Sequence, residues 1–171
     1  GRLRQTGSGV TVLSAANSYR GATDVLAGTL RVNGDQSAAT GLTTVYSGAT
    51  LSGAGTIGGD VVVQNGGAIA PGNSPGTLTI NGDLLLNASS VLNMEFGQAN
   101  VVGGALNDLI VVNGDLTLDG VINVSVPTGG AFTAGVYRVI DYTGGLTDNT
   151  LSVGTLPGGA SATVQTSVVG Q

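Results

Sequence analysis

Five times along this chain a short aliphatic run breaks at an Asn-Gly or Ser-Gly pair. The breaks are Val32-Asn33-Gly34-Asp35, Tyr46-Ser47-Gly48-Ala49, Gln64-Asn65-Gly66-Gly67, Ile80-Asn81-Gly82-Asp83 and Val112-Asn113-Gly114-Asp115. Asn-Gly readily supplies the positive φ angles of tight turns, so the five are expected to share one turn type. Between them lie strands as brief as Leu84–Leu86 and Leu116–Leu118. No stretch repeats apolar residues at i, i+3, i+4 and i+7, so helix content should be close to nil. Such turns suit an antiparallel sandwich of hairpins as well as a solenoid. The shortness of the strands favours the solenoid. So do the intervals of 14, 18, 16 and 32 residues between Gly34, Gly48, Gly66, Gly82 and Gly114, which approach one coil or part of one. A coil tolerates repetition with drift, because each rung has to fit only its neighbours.

The 171 residues suit one domain with a real core: 41% are hydrophobic and mean hydropathy is +0.33. Val, Ile and Thr, common here, favour pleated strands through their branched Cβ. Only 9% of residues are charged. The five basic residues, Arg2, Arg4, Arg20, Arg31 and Arg138, are scattered against ten acidic ones, for a net charge of −5. A phosphate-backbone footprint is missing, and nucleic acid is excluded as a partner. Gly1–Gly9 reads as joining a fold midway, so the chain is expected to be a piece of a longer one.

Cys, His and Lys are all absent. This removes the usual zinc ligands, Ser-His and Cys-His pairs, Schiff-base chemistry and Walker-type phosphate loops. The carboxylates remain. Asp35, Asp60, Asp83 and Asp115 each follow a Gly and are expected to cap local turn amides. Asp115 and Asp119 are the closest acid pair, expected on one face of a strand. A paired-carboxylate glycosidase or a calcium β-roll is conceivable in principle, but the Asp residues lack the Gly-Gly-x-Gly-x-Asp repetition of the latter. Gly53-Ala-Gly-Thr-Ile-Gly58 has the letters of a dinucleotide fingerprint without the helix that would receive the phosphate. The aromatic residues Tyr19, Tyr46, Phe96, Phe132, Tyr137 and Tyr142 suggest no groove, with Tyr137 and Tyr142 read as packing. No catalytic, cofactor-binding or metal-ligating residue and no cofactor is therefore expected.

Asn17, Tyr19, Gly21, Thr23, Val25, Gly28, Thr29, Leu30 and Val32 fall on a pattern resembling the strand repeat of autotransporter passenger domains. Gly53–Asp60, Val61–Val63 and the stretch Pro71-Gly-Asn-Ser-Pro-Gly-Thr-Leu-Thr-Ile80 resemble the same passengers near their C-terminal end. Phe132–Leu146 resembles their terminal cap, the autochaperone. The resemblance covers nearly all of residues 10–168. It implies an all-β, right-handed, single-stranded parallel β-helix of about seven rungs, with rungs in 1–127 and a hairpin-like C-terminal cap in 128–171. It also implies a secreted bacterial protein, displayed at the cell surface after crossing the periplasm and outer membrane. Its role would be a membrane-proximal stalk and autochaperone rather than an enzyme. The partners implied are upstream rungs and a downstream outer-membrane β-barrel of the same polypeptide. An adhesive module for a host protein or glycan is the alternative, and a polysaccharide-acting enzyme the remoter one.

Overall fold

The computed structural model describes residues 1–170, and its strands follow one another around three sheets in a fixed order. The first rung holds β1 (Leu3–Gln5) and β2 (Val10–Leu13). The second holds β3 (Thr23–Val25), β4 (Gly28–Val32) and β5 (Asp35–Gln36), and the third β6 (Thr43–Val45), β7 (Ala49–Gly53) and β8 (Thr56–Ile57). Then come β9 (Val61–Val63), β10 (Ala68–Pro71) and β11 (Thr77–Ile80); β12 (Leu84–Leu86), β13 (Val91–Glu95) and β14 (Leu109–Val112); and β15 (Leu116–Leu118), β16 (Val121–Ser125) and β17 (Ile140–Tyr142). β18 (Leu146–Asp148) and β19 (Ser152–Val153) begin a seventh. The first and second sheets have seven strands and the third has five. All strand pairs are parallel and join a strand to its counterpart one rung away, so the chain is a parallel β-helix. The solenoid is the fold expected, and hairpins do not build it.

The core consists of aliphatic ladders. In the second sheet Leu30, Leu51, Ile69, Leu92 and Ile122 stand in register, each 4% exposed or less. Burying one such side chain contributes roughly 1.5–3 kcal/mol. In the third sheet Gln36, Ile57, Ile80, Val112 and Tyr142 form the matching column. The column ends in a polar residue, Gln36, because the first rung has no third-sheet strand to stack an aliphatic side chain on it. The chain crosses at residues 14–22 instead, and Gln36 Nε2 donates to Ala15 O while its Oε1 accepts from Asn17 Nδ2.

The five turns do not share one type. Ser47-Gly48 and Asn65-Gly66 lie between the first and second sheets, with φ of +78° at both glycines. Asn81-Gly82 and Asn113-Gly114 lie between the third and first sheets, and Asn33-Gly34 between the second and third. None of these three glycines has a positive φ. The true repeat follows the first sheet, where Leu3, Thr23, Thr43, Val61, Leu84, Leu116 and Leu146 superpose. Coils of 18 to 23 residues thus give way to coils of about 30.

The closing end also differs from a hairpin. β17, β18 and β19 pair parallel with β14, β15 and β16, because the inward residues Ile140, Tyr142 and Leu146 extend the existing ladders. Residues 154–170 then cross the open end, with one 3₁₀ turn at Pro157–Gly159, and Gly170 O accepts from Tyr142 N–H at 3.0 Å.

Candidate functional site

The corner between the third and first sheets is built on glycine. Gly21, Gly41, Gly59, Gly82, Gly114 and Gly144 lie one above another, and a Cβ on any of them would run into the rung beneath. At Gly41 it would meet Gly21 O, and at Gly144 the Gly114 backbone and the Asp115 carboxylate. Close approach, rather than turn conformation, selects glycine here.

The acidic residues complete this corner. Asp60 Oδ1 accepts from Asp83 N–H at 3.0 Å, Asp83 Oδ1 from Asp115 N–H at 2.8 Å, and Asp115 Oδ1 from Gly145 N–H at 2.7 Å. Each carboxylate thus binds an amide 23 to 32 residues away in sequence, in the next rung. Local capping, the expectation from sequence, holds only for Asp35. It accepts from Ser37 N–H at 2.8 Å, and the Ser37 hydroxyl and amide hold its carboxyl below the usual range. Asparagines stack likewise: Asn113 Nδ2 donates to Asn81 Oδ1 and Asn123 Nδ2 to Asn93 Oδ1. Asp115 and Asp119 are separated by β15 into different corners, and Asp119 Oδ1 accepts from Gly120 N–H. They do not form a catalytic pair.

The corner between the second and third sheets is the opposite kind of structure. Its connections are 33–34, 54–55, 72–76, 96–108 and 126–139, so they lengthen from two residues to fourteen. The last two pack into one loop layer. Ala131 N–H donates to Gly97 O, Asn100 N–H to Val136 O, and Val136 N–H to Asn100 Oδ1. Asn107, 1% exposed, organises the first loop: its Oδ1 accepts from Gly97 and Gln98 N–H while its Nδ2 donates to Gln98 O and Val101 O. Asp108, equally buried, accepts from Gly76 and Glu95 N–H. Loss of hydration raises its pKa to about 6, against the pull of those two bonds and with a smaller push from the Glu95 charge.

An aromatic cluster sits here that the sequence did not suggest. The Tyr137 ring stacks on Phe132, with centroids 4.7 Å apart, and tilts against Phe96 at 5.2 Å. Phe96 and Tyr137 are 41 positions apart, and only the rung register brings them together. The cluster borders an apolar cavity of about 490 Å³ between the last rungs and the crossing tail, walled also by Leu118, Ile122 and Val164. Tyr142 is a core residue of β17, whereas Tyr19 and Tyr46 lie in the early rungs, their hydroxyls near Thr23 and Asp24. Among the described residues no three acidic, His or Cys side chains gather as a metal cluster would require.

The passenger-associated-transport-repeat family matches residues 3–32, which span β1 to β4. A chain whose strands repeat in this manner, and which carries this repeat, is of a recognisable kind. It is similar to the autotransporter passengers. Over 174 aligned positions and its whole length it is 61% identical to the adhesin BmaC autotransporter of Brucella suis biovar 1 (strain 1330), covering 5% of that protein. Over 126 positions, 74% of its length, it is 36% identical to an extracellular serine protease of Serratia marcescens, covering 11% of it. The chain thus spans a small fraction of the length of each of these relatives. It contains no His, so it could not itself furnish the Ser-His pair of a serine protease. Passengers of this kind are exported to the cell surface or the extracellular space.

Proposed function

We propose that this segment is a membrane-proximal stalk and autochaperone, a non-enzymatic module that promotes folding and display of the rod to which it belongs. The observation behind this reading is the ladder at the third-to-first corner. Its hydrogen bonds run from each rung to the next through Asp60, Asp83 and Asp115. In a solenoid whose stability resides in nearest-neighbour interfaces, a formed rung offers its amides and apolar edge as a template for the adjoining one. Residues 128–171, containing β17, β18, β19 and the crossing tail, are the proposed autochaperone part. The partners in this reading are upstream rungs and a downstream outer-membrane β-barrel of the same polypeptide. Deleting residues 128–160 from the full-length protein should abolish surface display while leaving synthesis intact, as read by surface labelling against whole-cell immunoblots. Normal display after that deletion refutes the role.

A second reading, that the segment is itself adhesive toward a host protein or glycan, draws on the relative named as an adhesin and on the loop layer. Val101, Val102 and Val136 are 38%, 51% and 70% exposed there. Binding to host cells or matrix that disappears when these three become Ser, with display unchanged, would favour it.

A further inference from the structure

Four Asn-Gly pairs lie at corners of the coil, and the fold treats them unequally. Asparagine is a thermally labile residue, and most so before glycine, which has no Cβ to shield its amide nitrogen from the asparagine side chain. Asn33, Asn65, Asn81 and Asn113 are all exposed. Solvent therefore reaches them alike, and what separates them is the hydrogen bonding of the glycine that follows.

At Gly34 and Gly66 the amide is engaged. Gly34 N–H donates to Leu13 O at 2.8 Å, and Gly66 N–H to Ser89 O at 2.8 Å. The preceding asparagines are also tied to the next rung: Asn33 Oδ1 accepts from Ala54 N–H at 3.4 Å and Asn65 Oδ1 from Ser89 N–H at 3.0 Å. The third-to-first corner differs. Neither Gly82 N–H nor Gly114 N–H meets an acceptor among the described residues, because the ladder there runs through the amides of Asp83 and Asp115. The side chains of Asn81 and Asn113 bond to each other, Asn113 Nδ2 donating to Asn81 Oδ1 at 3.0 Å.

We propose that Asn81 and Asn113 are self-modification sites of the rod, cyclising with Gly82 and Gly114 to succinimides, while Asn33 and Asn65 are held inert by their rung-to-rung bonds. The glycine nitrogen gives its proton to solvent and bonds to the asparagine Cγ; the Cγ–Nδ2 bond breaks and ammonia leaves. Water then opens the ring. Opening at the side-chain carbonyl leaves aspartate in place of asparagine. Opening at the main-chain carbonyl leaves isoaspartate, whose backbone is one carbon longer. Either product loads the corner ladder. Aspartate adds a negative charge to a corner that already carries Asp60, Asp83 and Asp115, none of which has an ion-pair partner among the described residues. At position 113 it also removes the donor to Asn81. Isoaspartate at position 81 lengthens the chain just before Asp83, whose N–H has to reach the Asp60 carboxylate.

Peptide mapping by mass spectrometry, resolving asparagine, aspartate and isoaspartate at each position, tests this on the intact chain held in mildly alkaline buffer at physiological temperature. Conversion at positions 81 and 113 should run about tenfold or more ahead of positions 33 and 65, since a bonded amide reacts only while its bond is open. In denaturant the four should convert at similar rates, which makes the difference a property of the fold. Amide exchange gives an independent reading: Gly82 and Gly114 should exchange faster than Gly34 and Gly66, after correction for neighbouring side chains. Conversion at 33 or 65 that keeps pace with 81 and 113 in the folded chain overturns the proposal. So does a folded chain in which all four asparagines survive a period that converts them in denaturant.

Discussion

Two corners of the same coil follow different rules. At the third-to-first corner, each rung presents glycine in the same place and, from Asp60 to Asp115, a carboxylate to the next rung. At the second-to-third corner, the connection grows from Asn33-Gly34 to the fourteen residues of 126–139. Both are surface turns, and both join strands in register. They differ in whether successive backbones touch. Where they touch, the residue type is dictated by space. Where they do not, the chain can lengthen, because closing a longer loop costs little more than closing a short one. The rod takes its pitch from the first corner and its individuality from the second.

That contrast breaks most visibly at Gly82. Replacing it by Val drives a branched side chain into the Asp60 carboxylate and into the backbone of Asp60 and Gly59, and movement of the carboxylate alone leaves the backbone clash in place. Gly82→Val should destabilise the segment by more than about 4 kcal/mol, the range reserved for severe steric or buried-charge defects, measured by denaturant unfolding. A loss under about 1 kcal/mol would mean that the corner can spread apart, and the ladder would no longer explain the glycines.

A smaller effect sharpens the comparison within the core. Leu92 is fully buried in an intact ladder, whereas Leu118 borders the cavity beside the loop layer. Leu92→Ala should cost about 3–4 kcal/mol, and Leu118→Ala about 2, because a wall that already faces empty space loses fewer contacts. Equal losses in paired unfolding measurements would indicate that the tail seals the end as tightly as a further rung would.

The smallest effect is expected at the tip of the 96–108 loop. Three Gly or Ser residues inserted between Gly103 and Gly104 should shift stability by about 0.5 kcal/mol or less, since Asn107 and Asp108 secure the loop from its base. The same insertion between Gly82 and Asp83 should be disruptive, because it displaces Asp83 from the Asp60 carboxylate. Similar tolerance at both places would erase the distinction between the corners.

Much of the fold was legible because parallel coils need short strands, and short strands announce themselves. Val61–Val63, Leu84–Leu86 and Leu116–Leu118 are strands with the bounds that their composition suggests. The glycines after Asn or Ser are legible as turns, but the reason for each glycine differs from one to the next. At Gly48 and Gly66 it is a positive φ, which a local sequence can signal. At Gly82 and Gly114 it is the rung below, which no local sequence contains. The carboxylates illustrate the same limit, since Asp35 bonds two residues ahead and Asp83 bonds across a rung.

By itself, then, the sequence determined that the chain is all-β, repetitive and acidic, and that it lacks the nucleophile–base pairs of His and Cys chemistry. Those properties follow from side-chain shape and ionisation, which each residue carries regardless of its surroundings. The tertiary structure alone decided which residues superpose. Coil length varies from 18 to 32 residues along the first sheet, so neither the Phe96–Phe132–Tyr137 stack nor the burial of Asp108 between Gly76 and Glu95 could be counted off along the chain. Register fixes them, and register is settled only when every rung finds the ladder of the rung before it.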